Sequence, residues 1–179
     1  GFFAALAEGA KTQMGSLSQA GVLQVPGDIS AAAFWVVAGL IVPGSHLTIE
    51  GVGLNETRTG IVDVVRALGA NIKVENERLE GGEPVGDLVV KHGSFTQESD
   101  SIEISGDLIP RAIDELVVAG ALASQIAPNT LVKDAEELRV KESDRVDETV
   151  RLLVGFGAEA EGQPDGYRVQ GNATLLGTT

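Results

Sequence analysis

Apolar residues along this chain fall into short extended blocks and longer helical ones, and the same order of blocks occurs twice. The first pass runs Val25-Pro-Gly-Asp28-Ile29, then an Ala/Val-rich stretch, then the strand-like Leu47-Thr-Ile49. It continues with Ile61 to Leu68 at helical spacing, the dipeptide Gly69-Ala70, and the strand-like Leu88-Val-Val90. The second pass runs Ile104-Ser-Gly106-Asp107-Leu108, an Ala/Val-rich stretch ending near Ala123, and Thr130-Leu-Val132. After it come a helical block from Val146 to Phe156, Gly157-Ala158, and Tyr167-Arg-Val169. Gly27 and Gly106 lie 79 residues apart, and Gly69 and Gly157 lie 88 apart. The offset drifts while the order holds, which is the mark of an internal repeat.

Each pass predicts strand, helix, strand, helix, strand, strand. Gly-Asp ahead of a helix has a mechanical purpose, since Gly permits a tight exit from the strand and Asp caps the helix. Gly-Ala after a helix supplies the left-handed residue that ends it. The expected fold is therefore mixed, α+β, with β-α-β-α-β-β units over residues 22–94 and 95–171. Residues 1–21 read as a remnant of a preceding unit or a linker, with Leu6-Ala-Glu-Gly9-Ala10 as a truncated helix end. Residues 172–179 read as a tail. Repetition alone specifies a scaffold and no activity.

Composition narrows the class. Hydrophobic residues make up 43 % of 179 and aromatic residues 4 %, so a core of Val, Leu, Ile and Ala is expected. The longest apolar run, Ala31 to Val42, is too short to span a bilayer and fits a buried helix. Without cysteine there are no disulfides, thiolate metal sites or cysteine nucleophiles, which suits the expected cytoplasmic location without requiring it. A net charge of −13 argues against a nucleic-acid partner, and no membrane partner or cofactor is called for. His46 and His92 have no ligand-like neighbours. A first residue of Gly1 and a polar end at Thr179 suit an excised piece of a longer chain.

Charge concentrates in Glu136-Glu-Leu-Arg139-Val-Lys141-Glu142-Ser-Asp-Arg145, where seven of ten side chains are ionised. Ser143 is the expected cap of the following helix, whose apolar face is Val146, Val150, Leu153 and Val154. Two readings fit this run. Free N–H groups, a helix dipole, Lys141 and Arg145 converging on one helix start make an anion site. Alternatively, it is a solvated loop whose cations pair with neighbouring carboxylates. The segment Leu108-Ile-Pro110-Arg111-Ala-Ile-Asp114-Glu115-Leu116 is also ambiguous. Pro110 suits the first turn of one helix running to about Ala123. Asp114 and Glu115 either complement that helix's dipole or, with Asp114 turned inward, offer a base or an acceptor for a substrate hydroxyl. Arg58 stands in the first pass roughly where Arg145 stands in the second.

Together these segments resemble the 5-enolpyruvylshikimate-3-phosphate (EPSP) synthase family over about residues 22–171. The matching runs are Val25-Pro-Gly-Asp-Ile-Ser30 with Ala32-Ala-Phe34, Val52-Gly-Leu-Asn55 with Thr57-Arg-Thr-Gly60, and Gly82-Glu-Pro84 with Gly86-Asp-Leu88. Leu108 to Leu116, Asp134 to Arg145 and Pro164-Asp-Gly166 complete the set. The resemblance implies two domains, each made of three β-α-β-α-β-β units around an inside-out core. It implies transfer of an enolpyruvyl group from phosphoenolpyruvate to the 5-hydroxyl of shikimate 3-phosphate, without a cofactor.

By the same resemblance, Asp114 matches a base at the acceptor hydroxyl and Lys141 a substrate contact and proton shuttle. Glu142 matches the acid that protonates the methylene, and Arg145 a clamp on phosphoenolpyruvate. Val117 departs from a usual Pro, and Ala31 from a frequent Ser. The family's other basic and serine-rich substrate residues match nothing here, so missing segments of a parent enzyme are implied as partners and the fragment alone is expected to be inactive. The alternatives are the related UDP-N-acetylglucosamine enolpyruvyl transferase and a non-catalytic scaffold or binding module.

Overall fold

The computed structural model describes residues 24–95, 101–126 and 129–176. The expected remnant at 1–21 therefore lies outside the described residues. Helix α1 spans Ile29–Ile41, followed by β1 (His46–Gly53), α2 (Gly60–Ala67), β2 (Ala70–Glu80) and β3 (Glu83–Phe95). Next come β4 (Ile102–Ile104), α3 (Leu108–Ala112), α4 (Leu116–Ile126) and β5 (Asn129–Val132). A 3₁₀ turn at Glu136–Val140 leads into α5 (Arg145–Gly155), β6 (Ala160–Gln163) and β7 (Gly166–Gln170).

The two sheets share one connectivity. In the second, β4 runs parallel to β5, β5 antiparallel to β7, and β7 antiparallel to β6. In the first, β1 pairs with β3 and β3 with β2, both antiparallel. Gly27 bridges Val52 of β1 in parallel, where β4 stands in the second sheet. A full strand is expected at Val25, and only this bridge forms there. It is closed by bonds from Gly27 N to Gly51 O and from Gly53 N to Gly27 O.

Asp28 caps α1 as expected, its carboxylate accepting from the Ser30 amide at 3.2 Å. Buried Ile29, Ala32, Ala33, Val36, Val37 and Leu40 follow the period of one helix face. The opposite face is also apolar, yet Phe34 and Trp35 are 65 % and 64 % exposed. Helix α1 lies on β1 and β3 and against α4, which in turn lies on β7 and α5. Helices from both halves thus meet each other, with a sheet on either outer side, and one continuous apolar cluster joins them. The approach is close at Gly60, where an added Cβ would come within 2.5 Å of the Arg111 carbonyl carbon. Arg111 reaches back, donating Nε–H to Glu56 O at 2.9 Å and pairing with Asp63 at 2.8 Å.

Asp87, in the matched Gly86-Asp-Leu88 run, is 8 % exposed and pins the irregular part of the first sheet. It accepts from the Gly51 amide at 2.9 Å and Asn76 Nδ2 at 2.8 Å, and it faces Arg78 at 3.6 Å. Those partners sit where the register shifts between Ile49 and Val52 and between Glu75 and Arg78. The Asn76 and Gly51 hydrogen bonds hold its carboxyl below the usual range.

Two expectations are corrected. Asp107 adopts helical angles (φ −63°, ψ −15°) and makes no side-chain cap bond, because a capping residue must itself be extended. Helix 108–123 is not continuous either. It tightens to a bond from Glu115 N to Ala112 O, breaks at residues 113–115, and restarts with Ala119 N to Glu115 O.

Candidate active site

The break between α3 and α4 carries Asp114, and the start of α5 carries Arg145; they meet although the sequence separates them by 31 positions. Arg145 Nη1 donates to Asp114 Oδ1 at 2.9 Å, and Nη2 donates to Glu142 Oε2 at 2.9 Å. One guanidinium thus holds both carboxylates, each with a separate nitrogen. Arg145 is the first residue of α5, so its side chain leaves from the positive end of that helix.

Asp144, not Ser143, caps α5. Its Oδ1 accepts from the Val146 and Asp147 amides, both at 3.1 Å, and Oδ2 accepts from Arg139 at 2.7 Å. A carboxylate has two oxygens, so one takes the helix amides while the other takes the Arg139 guanidinium with a charge-assisted bond. The Asp147 amide above all, and Arg139 after it, keep the Asp144 carboxyl below the usual range. Arg139 also donates to the carbonyls of Gln163 and Pro164, tying the 3₁₀ turn to the β6–β7 hairpin. The acidic run is thereby folded onto the second sheet.

Lys141 pairs with Glu137 at 2.6 Å, and this bond raises its pKa; the Asp114 charge raises it further while Arg145 opposes. Lys141 therefore lies within the field of both residues. The Glu142 carboxyl is held low, first by its own backbone amide and then by Arg145. Burial works against the Arg145 charge, yet hydrogen bonds to Glu142 and Asp114 outweigh it and raise its pKa. Asp114, Glu142 and Arg145 thus form one cluster, and Lys141, next to Glu142 in the chain, is bonded to Glu137. Lys141 and Arg145 are both paired with carboxylates, as the solvated-loop reading required, while the Val146 and Asp147 amides that the anion-site reading needed free are taken by Asp144.

Three relationships were missed in the sequence. Glu137 as partner of Lys141 was readable from the spacing of four. Arg139 as a clamp carried no signal beyond its charge. The third joins the halves: Ser30 Oγ donates to Glu115, and Arg58 Nη2 donates to Ser30 Oγ at 3.0 Å. A cavity of about 350 Å³ lined by Ser101, Ile102, Glu103, Asn129, Thr130, Leu131 and Arg168 includes none of the cluster residues. Among the described residues no group of three or more His, Asp or Glu is arranged to hold a metal, and no helix is long and apolar enough to cross a membrane.

The chain is 48 % identical over 153 residues to a 3-phosphoshikimate 1-carboxyvinyltransferase of Geobacillus thermodenitrificans, covering 86 % of this chain and 34 % of the relative. It is 50 % identical over 153 residues to the enzyme of that name from Citrifermentans bemidjiense, covering 86 % and 35 %. A solved EPSP synthase from Acinetobacter baumannii superposes with a TM-score of 0.79 at 39 % identity, over 85 % of this chain and 34 % of that one. The chain thus spans about a third of the length of the relatives it matches. The family model for EPSP synthase (3-phosphoshikimate 1-carboxyvinyltransferase) matches residues 7–179, and this chain belongs to that family.

Proposed function

We propose that this chain contributes part of the site of an enolpyruvyl transferase, acting within a longer polypeptide. The reaction moves the enolpyruvyl group of phosphoenolpyruvate onto the 5-hydroxyl of shikimate 3-phosphate and releases phosphate. The observation that carries this reading is the single Arg145 guanidinium shared by Asp114 and Glu142, with Lys141 beside them.

The chemistry asks for such a set. The acceptor oxygen attacks C2 of phosphoenolpyruvate while its proton leaves and C3 gains one, making a tetrahedral intermediate. C3 then loses a proton as the C2–O bond to phosphate breaks, restoring the alkene. Asp114 takes the hydroxyl proton, and Glu142, protonated once Arg145 has left it for the substrate, gives and recovers the proton at C3. Arg145, released from one or both carboxylates, clamps the phosphoenolpyruvate anion, and Lys141 contacts the acceptor and shuttles protons. A cytoplasmic location follows for an enzyme of this pathway.

A body of charge −13 attracts two phosphorylated substrates poorly. Segments outside this chain supply the remaining cations. They also cover the apolar face of α1 that leaves Phe34 and Trp35 open. In this reading, residues 22–94 and 95–171 are two of the parent domain's repeated units.

The test is phosphate release by the complete polypeptide with each acceptor in turn. Turnover with shikimate 3-phosphate and none with UDP-N-acetylglucosamine is expected. Turnover with the nucleotide sugar alone would move the protein to the sister activity, and turnover with neither would leave the scaffold reading.

A further inference from the structure

Glu115 is a carboxylate that the proposed chemistry does not use, and it is 5 % exposed. A buried carboxylate is costly unless something holds it. Its holder comes from the other half of the chain, because the Ser30 hydroxyl in the first turn of α1 donates to Glu115 Oε1. Ser30 Oγ in turn accepts from Arg58, whose guanidinium also stands 3.7 Å from Asp28. Glu115 immediately precedes Leu116, the first residue of α4, and its partner Ser30 lies in the first turn of α1.

Asp114 and Glu115 are consecutive residues in the break between α3 and α4. Asp114 turns outward to Arg145, and Glu115 turns inward to Ser30. No residue between them can absorb a shift, so rotation of the turn at Glu115 moves the Asp114 carboxylate as well. The other end of the same link is tied to the first half by Arg111, bonded to Glu56 O and paired with Asp63. Asp114 therefore belongs to the second half of the chain but takes its position from the first.

We infer that Glu115 is a positioning residue for Asp114: its buried carboxylate, held by Ser30 and through Ser30 by Arg58, sets the turn that aims Asp114 into the site. This inference rests on the enolpyruvyl-transfer reading and on Asp114 as its base. A displacement of about 1 Å at a reacting group can cost on the order of 100-fold in rate, so a loosened turn would be visible in kcat.

The experiment is a double-mutant cycle in the complete polypeptide, assayed by phosphate release from phosphoenolpyruvate and shikimate 3-phosphate. Glu115→Ala and Ser30→Ala are each expected to lower kcat about tenfold, with the KM for phosphoenolpyruvate changed less than about twofold. Glu115→Gln keeps an acceptor for Ser30 and should recover most of the loss. In an Asp114→Asn background the same substitutions should cost almost nothing further, because the group they position is gone. A role in stability alone would lower activity by the same factor in both backgrounds, and that result overturns the inference. So does a kcat within about twofold of the unsubstituted enzyme for Ser30→Ala, which decides the matter even where Glu115→Ala fails to fold. The two readings fail differently. Absence of turnover in the unsubstituted polypeptide, or an unchanged rate in Asp114→Asn, overturns the proposed function and this inference with it.

Discussion

Arg145 reaches Asp114 at 2.9 Å with one terminal nitrogen while the other holds Glu142 at the same distance. The pairs are solvent-exposed, so they contribute little to stability. Their consequence is orientation, since a planar fork fixes two carboxylates relative to each other. Lysine carries one compact charge and cannot reproduce the fork. Arg145→Lys in the complete polypeptide should lower kcat/KM for phosphoenolpyruvate on the order of 100-fold and leave the melting temperature within about 2 °C. Steady-state kinetics beside thermal unfolding checks both halves of that statement.

The Asp144 cap makes stability sensitive to acid. Its carboxyl is held below the ordinary value of 3.8, so the native state favours the ionised form. The stability it adds is complete above that value and is lost as pH falls below it, through the depressed native pKa. Asp144→Asn keeps a capping oxygen and removes the charge, so it should lower the melting temperature at neutral pH and by progressively less as pH falls below about 4. Thermal unfolding across that range is the measurement, and an equal loss at every pH would separate the cap from its charge.

At Gly60 the backbone of one half packs directly against the Arg111 backbone of the other. A methyl group there meets the Arg111 carbonyl, which cannot swing aside as a side chain would. Gly60→Ala should destabilise the protein by about 1–3 kcal/mol, read from denaturant unfolding. Gly155, whose added Cβ meets nothing within 4 Å, is the matched control.

The chain's single tryptophan, Trp35, lies on the uncovered face of α1 and reports on what covers it. In the chain alone its emission should be red-shifted and open to acrylamide quenching. Adding the remaining segments of the parent polypeptide should shift it to the blue and protect it. Unchanged emission in a complex proven by another method would place the apolar face elsewhere.

Much of this was legible in the sequence where one residue type has one mechanical use. Gly69 and Gly157 end their helices with φ of +80° and +92°, and Asp28 caps α1, as their neighbours implied. The charged run was legible as a site candidate because so many ionised groups rarely crowd one helix start. The cap slipped by one residue from Ser143 to Asp144 because both types cap helices, and the Arg139 contact that favours Asp144 is tertiary. The break at 113–115 was hidden for a similar reason. Local propensity favours one helix there, and partners from α1 and α5 divide it. The Ser30–Glu115 contact spans 85 positions between two ordinary polar residues, so no local pattern could announce it.

The account's central claim is that this chain holds one part of an enolpyruvyl-transfer site whose other groups lie outside it. Phosphate release from phosphoenolpyruvate and shikimate 3-phosphate tests it most directly, with the chain alone, with the remaining segments alone, and with the two mixed. On the proposed reading the chain supplies one base, one acid and one clamp, and removing even a single electrostatic donor from such a site costs on the order of 100-fold or more. No turnover is expected from either part, and turnover should appear on mixing and vanish when the chain carries Glu142→Ala. Turnover by the chain alone at the rate of the complete polypeptide, or full activity of the mixture with Glu142→Ala, would contradict the account.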